Sequence, residues 1–167
     1  MKRRILVIVD MQYCFSASQN PYIQNNILRK IEEYKNKKRP IILVSYMGDG
    51  DDSYSRNKAR TIKKIYDALK GYRFFYQVMK DEDDGSLWVI ECLEKKRISP
   101  SFIEICGVNL DCCVSETATG LAGVYEDIKI HILKDCSWSD TCNGISDAIK
   151  EVQSAISSYK NKLFKLV

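Results

Sequence analysis

The sequence contains little histidine, proline or glycine. Its 167 residues include one His, three Pro and eight Gly. A single histidine excludes any metal site in which this chain supplies two or more histidine ligands. It also leaves His131 as the only candidate for a Ser-His or Cys-His pair. His131 lies in the middle of a segment in which polar and apolar residues alternate, as in a β-strand, and not at its end. We therefore expect a structural role for it. No G-x-G-x-x-G segment follows an apolar run, which argues against dinucleotide binding.

Long apolar runs and paired cysteine motifs are also missing. The first apolar run covers only residues 5–9, far short of the roughly 20 residues that span a bilayer. The basic residues before it do not form a secretory signal. The seven cysteines are odd in number and contain no C-x-x-C. We therefore expect reduced thiols in a cytoplasmic protein that has no membrane partner.

The charge is nearly balanced, with 26 basic and 22 acidic residues and a net charge of +4. Basic residues occur in short clusters such as 37–39 and 95–97, within or just after helix-like segments. This pattern is typical of solvated helix faces. Neither a nucleic-acid motif nor basic residues interleaved with aromatics is present, so we expect no nucleic-acid partner.

Short apolar runs alternate with longer amphipathic segments along the chain. Apolar runs, which predict buried parallel strands, cover residues 5–9, 40–46, 74–79, 102–107 and 128–133, with a sixth at 163–167. Stripes at helical spacing cover residues 23–34, 59–69, 87–93, 114–125 and 145–159. This alternation predicts one α/β domain over residues 1–167. We expect three α/β/α layers around a mostly parallel, Rossmann-like sheet of five to six strands.

Ligands of such sheets bind outside the carboxyl ends of the strands. Asp10 follows the first predicted strand, Lys80 the third, and Cys113 the fourth. Taken singly, Asp10 is an ordinary turn residue and Lys80 an ordinary loop lysine. An acid, a base and a thiol at three ends of one sheet together predict a reactive site.

Cys113 lies near the predicted start of a helix, close to Asp111. Free backbone N–H groups and the helix dipole in a first turn lower a thiol pKa and can also hold an oxyanion. Cys112 is adjacent, and on a helix its side chain points about 100° away. Only one of the two thiols can therefore face the crevice.

Two sequence blocks resemble the isochorismatase-like cysteine hydrolases, a family that includes the nicotinamidases. Residues 5–15, ILVIVDMQYCF, resemble the family's D-x-Q-x-D-F. Residues 107–114, GVNLDCCV, followed by Thr117 and Ala118, resemble G-V-x-T-D-x-C-V-x-x-T-A. Lys80 lies between the blocks, and the likeness extends over residues 5–137. Both blocks in this order are a specific signal.

The resemblance implies a catalytic triad of Asp10, Lys80 and Cys113. It selects Cys113 over Cys112 because a valine follows Cys113, as in the family's C-V pair. It also implies a non-proline cis peptide between Val108 and Asn109. The backbone N–H groups of Asn109 and Cys113 would then form an oxyanion hole.

The implied activity is hydrolysis of a small amide at its C–N bond through a thioester, without a cofactor, by a homo-oligomer (dimer or tetramer). Gln12, Phe15 and Tyr46 are candidates for the substrate pocket. Further aromatic candidates near the strand ends are Tyr13, Tyr54 and Trp138.

Some positions depart from the family pattern. Cys14 replaces the usual Asp, Leu110 the usual Thr, and Gly120 a common Asp of the helix. The D-x-H motif of metal-binding nicotinamidases is missing from residues 45–53, which we interpret as a polar loop at the crevice mouth. We therefore expect no metal.

Three other functions compete with amide hydrolysis. Isochorismatase-type vinyl-ether hydrolysis uses the same scaffold but does not need the thiol of Cys113. A redox sensor built on Cys112 and Cys113 is sound thiol chemistry, but it leaves Asp10 and Lys80 unexplained. A non-catalytic binding protein would not need a complete triad.

Overall fold

The computed structural model describes residues 2–47, 60–141, 144–159 and 163–167. Their strands are β1 (Lys2–Val9), β2 (Ile41–Tyr46), β3 (Phe75–Lys80), β4 (Ser99–Val108), β5 (Lys129–Trp138) and β6 (Phe164–Leu166). Their α-helices are α1 (Pro21–Asn36), α2 (Lys63–Leu69), α3 (Ser86–Lys95), α4 (Ser115–Val124) and α5 (Ile145–Ser157). A short 3₁₀ helix covers Ser16–Gln19, and a π-helical turn covers Leu110–Val114. Every predicted strand is confirmed.

The six strands form one parallel sheet in the order β3-β2-β1-β4-β5-β6. The chain runs outward from β1 through β2 to β3, then crosses to the other side of β1 and continues through β4, β5 and β6. The direction of winding therefore reverses between β1 and β4. In open α/β sheets the ligand crevice opens at the carboxyl ends of the strands beside such a reversal.

Alternate side chains of β1 enter two separate cores. Ile5 and Val7 belong to a cluster with residues of α3, α4 and α5. Leu6 and Ile8 belong to a second cluster with residues of α1 and α2. All four are fully buried, as expected for a strand with helices on both faces. The predicted three-layer α/β/α architecture is confirmed.

Local signals in the sequence define where α1 begins. Pro21 occupies the first helical position, where the missing N–H is not needed. The side chain of Asn20 accepts a hydrogen bond of 2.9 Å from the Tyr22 backbone N–H. Such a cap satisfies one of the free donors of the first turn.

Three predicted helix features are wrong in detail. Leu87 and Tyr66, both assigned to buried stripes, are 56% and 39% exposed. In α3, which begins at Ser86, Leu93 is buried as predicted, and Val89 takes the place of Leu87 on the buried face. The helix predicted near Asp111 begins at Ser115, after the π-helical turn. No helix in the described ranges is long and apolar enough to span a membrane.

Candidate active site

Asp10 immediately follows β1 at the point where the winding reverses. Its side chain is fully buried, and its φ of 52° lies in the left-handed region, which Asp tolerates better than most residues. Its backbone N–H donates to the Val44 carbonyl at 2.9 Å. Gly107 of β4 passes so close that a Cβ there would lie 2.0 Å from the Val9 carbonyl oxygen. Only glycine therefore allows β4 to approach the end of β1 this closely.

Lys80, the last residue of β3, extends its fully buried side chain to Asp10. The Lys80 Nζ to Asp10 Oδ2 distance is 2.9 Å. Nζ also donates to the backbone carbonyls of Glu82, at 2.8 Å, and Asp83, at 3.1 Å. Three oxygen partners thus satisfy an ammonium group that would otherwise be costly to bury.

Cys113 lies on the π-helical turn after β4. The Val108–Asn109 peptide bond before this turn is cis. The Asn109 carbonyl accepts hydrogen bonds from the Cys112 N–H, at 3.2 Å, and the Val114 N–H, at 3.0 Å. Cys112 has non-helical dihedrals, φ −126° and ψ −105°. This tight turn presents the Cys113 side chain, which is only 5% exposed.

Asp10, Lys80 and Cys113 converge at the carboxyl ends of the sheet. The Cys113 thiol lies within hydrogen-bonding reach of both the Asp10 carboxylate and the Lys80 ammonium group. Apart from the Lys80 contact, neither Asp10 oxygen has a hydrogen-bond donor of good geometry among the described residues.

Burial determines the titration of these groups. It raises the pKa of Asp10 above its ordinary value, although the Lys80 charge opposes the shift. Burial disfavours the ammonium form of Lys80, but the Asp10 carboxylate outweighs this and the Lys80 pKa is raised. Lys80 therefore stays protonated, and the two form a buried ion pair.

The expectation of a lowered thiol pKa is wrong. Burial, followed by the nearby Asp10 carboxylate, raises the pKa of Cys113 well above its ordinary value. Cys113 precedes α4 rather than occupying its first turn, so the helix dipole acts on it less directly. Desolvation of a thiolate is the larger effect. In the ground state Cys113 is a neutral thiol that needs a base.

The backbone N–H groups of Asn109 and Cys113 lie at the start of, and within, the turn that carries the thiol. These are the two donors predicted to form the oxyanion hole. The Asn109 side chain points elsewhere and accepts a hydrogen bond of 3.3 Å from the Asp140 N–H.

Comparison with known proteins identifies the family of the chain. The model of the isochorismatase domain matches residues 4–159. The chain belongs to the isochorismatase family. It is accordingly a hydrolase of that family. None of the curated proteins matches it.

Solved structures with the same fold extend over nearly the whole chain. The nicotinamidase from Staphylococcus aureus is 24% identical and superposes with a TM-score of 0.73, covering 98% of this chain and 95% of that one. An isochorismatase from Pseudomonas putida is 17% identical with a TM-score of 0.73, covering 100% and 89%. The pyrazinamidase of Pyrococcus horikoshii, solved in complex with zinc, is 17% identical with a TM-score of 0.68, covering 99% and 98%.

The residues of this family member do not fit a histidine-based metal site. His131, the single histidine, lies within β5, where its ring packs edge-on against Phe102 at a centroid distance of 4.6 Å. The only described group with metal-ligating geometry is Asp83, Cys112 and Cys113, whose ligand atoms lie within 4.8 Å of one another. A metal ion there would occupy the thiol of Cys113.

Two of the three predicted pocket residues lie beside the triad. The rings of Phe15 and Tyr46 are 6.4 Å apart, and Lys80 Nζ lies 5.5 Å from the Tyr46 ring centre. Gln12 is fully buried instead. Its amide donates to the Tyr46 carbonyl at 2.9 Å and accepts from the Tyr46 N–H at 2.7 Å. Gln12 therefore positions Tyr46.

The other aromatic candidates are placed less centrally. Trp138 is half-buried and packs with the core on the α1 side of the sheet. Tyr13 is 44% exposed and borders a cavity of about 630 Å³ between α2 and β3. No triad residue lines this cavity, so we assign the chemistry to the crevice above Cys113. Tyr54 and most of the predicted polar loop, residues 48–53, lie outside the described residues.

One residue of the site was not predicted. Asp83 Oδ1 lies 3.5 Å from Cys113 Sγ. The run of four acidic residues directly after Lys80, residues 81–84, was the available signal. Periodicity and motif spacing do not reveal which of the four contacts the thiol.

Proposed function

We propose that this protein hydrolyses a small amide at its C–N bond through a thioester on Cys113. One observation carries the proposal: a nearly buried thiol lies within hydrogen-bonding reach of a buried carboxylate that is paired with a buried ammonium group. A nucleophile and its base within such reach, with the base positioned by a third group, is the arrangement that covalent catalysis requires. Nicotinamidases among the structures of the same fold are consistent with an amide substrate.

Asp10 removes the thiol proton. Because its pKa is raised, the carboxylate is a stronger base than an ordinary aspartate, which makes the transfer less unfavourable. The transfer leaves a neutral Asp10 and an anionic Cys113. Lys80, in reach of both, balances whichever group carries the negative charge. Its role is therefore electrostatic.

The thiolate then attacks the amide carbonyl carbon, and the C=O electron pair moves onto oxygen. The N–H groups of Asn109 and Cys113 bind that oxyanion, and removal of one such donor costs about 3 kcal/mol in comparable enzymes. As the intermediate collapses, Asp10 returns its proton to the departing nitrogen and the C–N bond breaks. Water, deprotonated by Asp10, then hydrolyses the thioester and restores the thiol.

Ammonia release from a panel of small amides and ureides tests the proposal. Wild type is compared with Cys113→Ala, and Cys112→Ala is the matched control because it removes the neighbouring thiol. We expect wild type and Cys112→Ala to release ammonia and Cys113→Ala to release none. Undiminished hydrolysis by Cys113→Ala would refute the mechanism.

A further inference from the structure

Hydrogen bonds fix the backbone of the segment that follows Lys80, residues 81–85. Lys80 Nζ binds the carbonyl oxygens of Glu82 and Asp83. At the far end of the segment, the Gly85 N–H donates to Thr117 Oγ1 of α4 at 2.8 Å. The backbone that carries Asp83 is therefore fixed both to the triad and to the helix after Cys113.

Gly120 of α4 provides the space in which this segment packs. A Cβ at position 120 would lie 2.7 Å from Asp84 Oδ2 and 2.2 Å from Ser86 Oγ. Asp84 in turn accepts hydrogen bonds from the N–H and the hydroxyl of Ser86, at 2.7 and 3.0 Å. Because Asp84 is engaged with Ser86, Asp83 is the acidic side chain that meets the thiol.

Asp83 adds a negative charge on the open side of the nucleophile. The side chain is exposed, whereas the Cys113 thiol that it contacts is 5% exposed. Asp83 forms no salt bridge with a described cation. The charges of Asp10 and Lys80 cancel in their ion pair, so the groups around the thiol have a net charge of about −1.

We propose that Asp83 determines substrate specificity by accepting a hydrogen bond from an N–H or ammonium group next to the scissile carbonyl. Asp83 Oδ1 lies 3.5 Å from Sγ, and after attack a nitrogen on the attacked carbon or on the next carbon of the substrate is only two or three bonds from Sγ. The substrate class is therefore neutral or cationic: ureas, diamides and amino amides. A carboxylate at the same position is repelled. Where it concerns turnover, this inference rests on the proposed amidase function.

Alkylation of Cys113 tests the charge effect without any turnover. Iodoacetamide and iodoacetate have nearly the same shape, but one carries an amide and the other a carboxylate. Rates at Cys113 are measured by peptide mass mapping in wild type, Asp83→Asn and the matched control Asp81→Asn. Asp81→Asn removes the same charge two residues away. The ratio of the two rates cancels any common change in thiol pKa.

We expect the wild-type ratio of iodoacetamide to iodoacetate rates to exceed that of the uncharged thiol 2-mercaptoethanol by roughly tenfold, as expected for one charge at short range. Asp83→Asn should return the ratio to the 2-mercaptoethanol value, and Asp81→Asn should leave it at the wild-type value. A wild-type ratio equal to that of 2-mercaptoethanol would overturn the proposal. So would an unchanged ratio in Asp83→Asn, or an equal change in Asp81→Asn.

Turnover of oxamide and oxamate supplies the second arm. Wild type should have a higher kcat/KM for oxamide than for oxamate. Asp83→Asn should lower the ratio of these two kcat/KM values by roughly tenfold. If alkylation follows the expectation but no amide is hydrolysed, Asp83 retains its charge role and the proposed amidase function fails. If amides are hydrolysed but the alkylation ratio is unchanged in Asp83→Asn, the specificity proposal fails and the proposed amidase function stands.

Discussion

Lys80 Nζ lies 2.9 Å from Asp10 Oδ2, and both side chains are completely buried. The two residues come from the ends of β3 and β1, which are separated by β2 in the sheet. Loss of one partner from a buried ion pair leaves an uncompensated charge, which typically destabilises a protein by about 3–5 kcal/mol. The pair therefore connects the stability of the fold to the chemistry of the site.

Replacement of Lys80 by Met should lower the free energy of unfolding by about 3–5 kcal/mol, because it leaves the Asp10 carboxylate buried and unpaired. Urea denaturation measures this loss. The double variant Lys80→Met, Asp10→Asn removes both charges and should recover at least half of the stability that Lys80→Met loses. It should have no activity. A loss below about 1 kcal/mol in Lys80→Met would mean that the pair is solvated, as exposed ion pairs are.

Replacement of Asp10 by Asn should separate thiol reactivity from catalysis. After burial, the Asp10 carboxylate is the main cause of the raised Cys113 pKa. Its removal, with Lys80 retained, should lower that pKa and shift the pH profile of iodoacetamide alkylation to lower pH. Hydrolysis should be lost, because the proton acceptor is gone. Slower alkylation in Asp10→Asn at every pH would show that Asp10 promotes thiolate formation in the resting protein.

The sequence was sufficient to predict the layers of the fold and the convergence of Asp10, Lys80 and Cys113. Residues 5–9 are apolar at every position, and only a strand with helices on both faces buries such a run. The rule that ligands bind at carboxyl strand ends placed Asp10, Lys80 and Cys113 on a shortlist, from which the family resemblance selected them. The strand order was not predicted, because pairing partners leave no trace in the periodicity of one strand.

The sequence was insufficient wherever two loops meet. Asp83 and Cys113 are 30 residues apart, and no spacing rule relates them. The direction of the Cys113 pKa shift was wrong because it depends on burial, which the position near a helix start does not reveal. The two hydrogen bonds of the Gln12 side chain to the backbone of Tyr46 join segments 34 residues apart, and the motif does not reveal them.

Two glycines of α4 form a matched pair for testing the packing of the segment after Lys80. In Gly120→Ala the new methyl group would overlap Asp84 and Ser86, so thermal and urea unfolding should show a loss of about 1–3 kcal/mol. A Cβ at Gly123 meets nothing within 4 Å. Gly123→Ala should therefore stabilise the helix by up to about 1 kcal/mol. Equal effects of the two substitutions would contradict the tight contact at Gly120.

Rapid-quench mass spectrometry during amide turnover tests the central claim most directly. Peptide mapping should find an acyl group, equal in mass to the substrate less ammonia, on Cys113 and not on Cys112. The adduct should form before steady state and disappear as substrate is exhausted. Steady turnover with no adduct at any time, and with Cys113→Ala equally active, would contradict a thioester mechanism at this site.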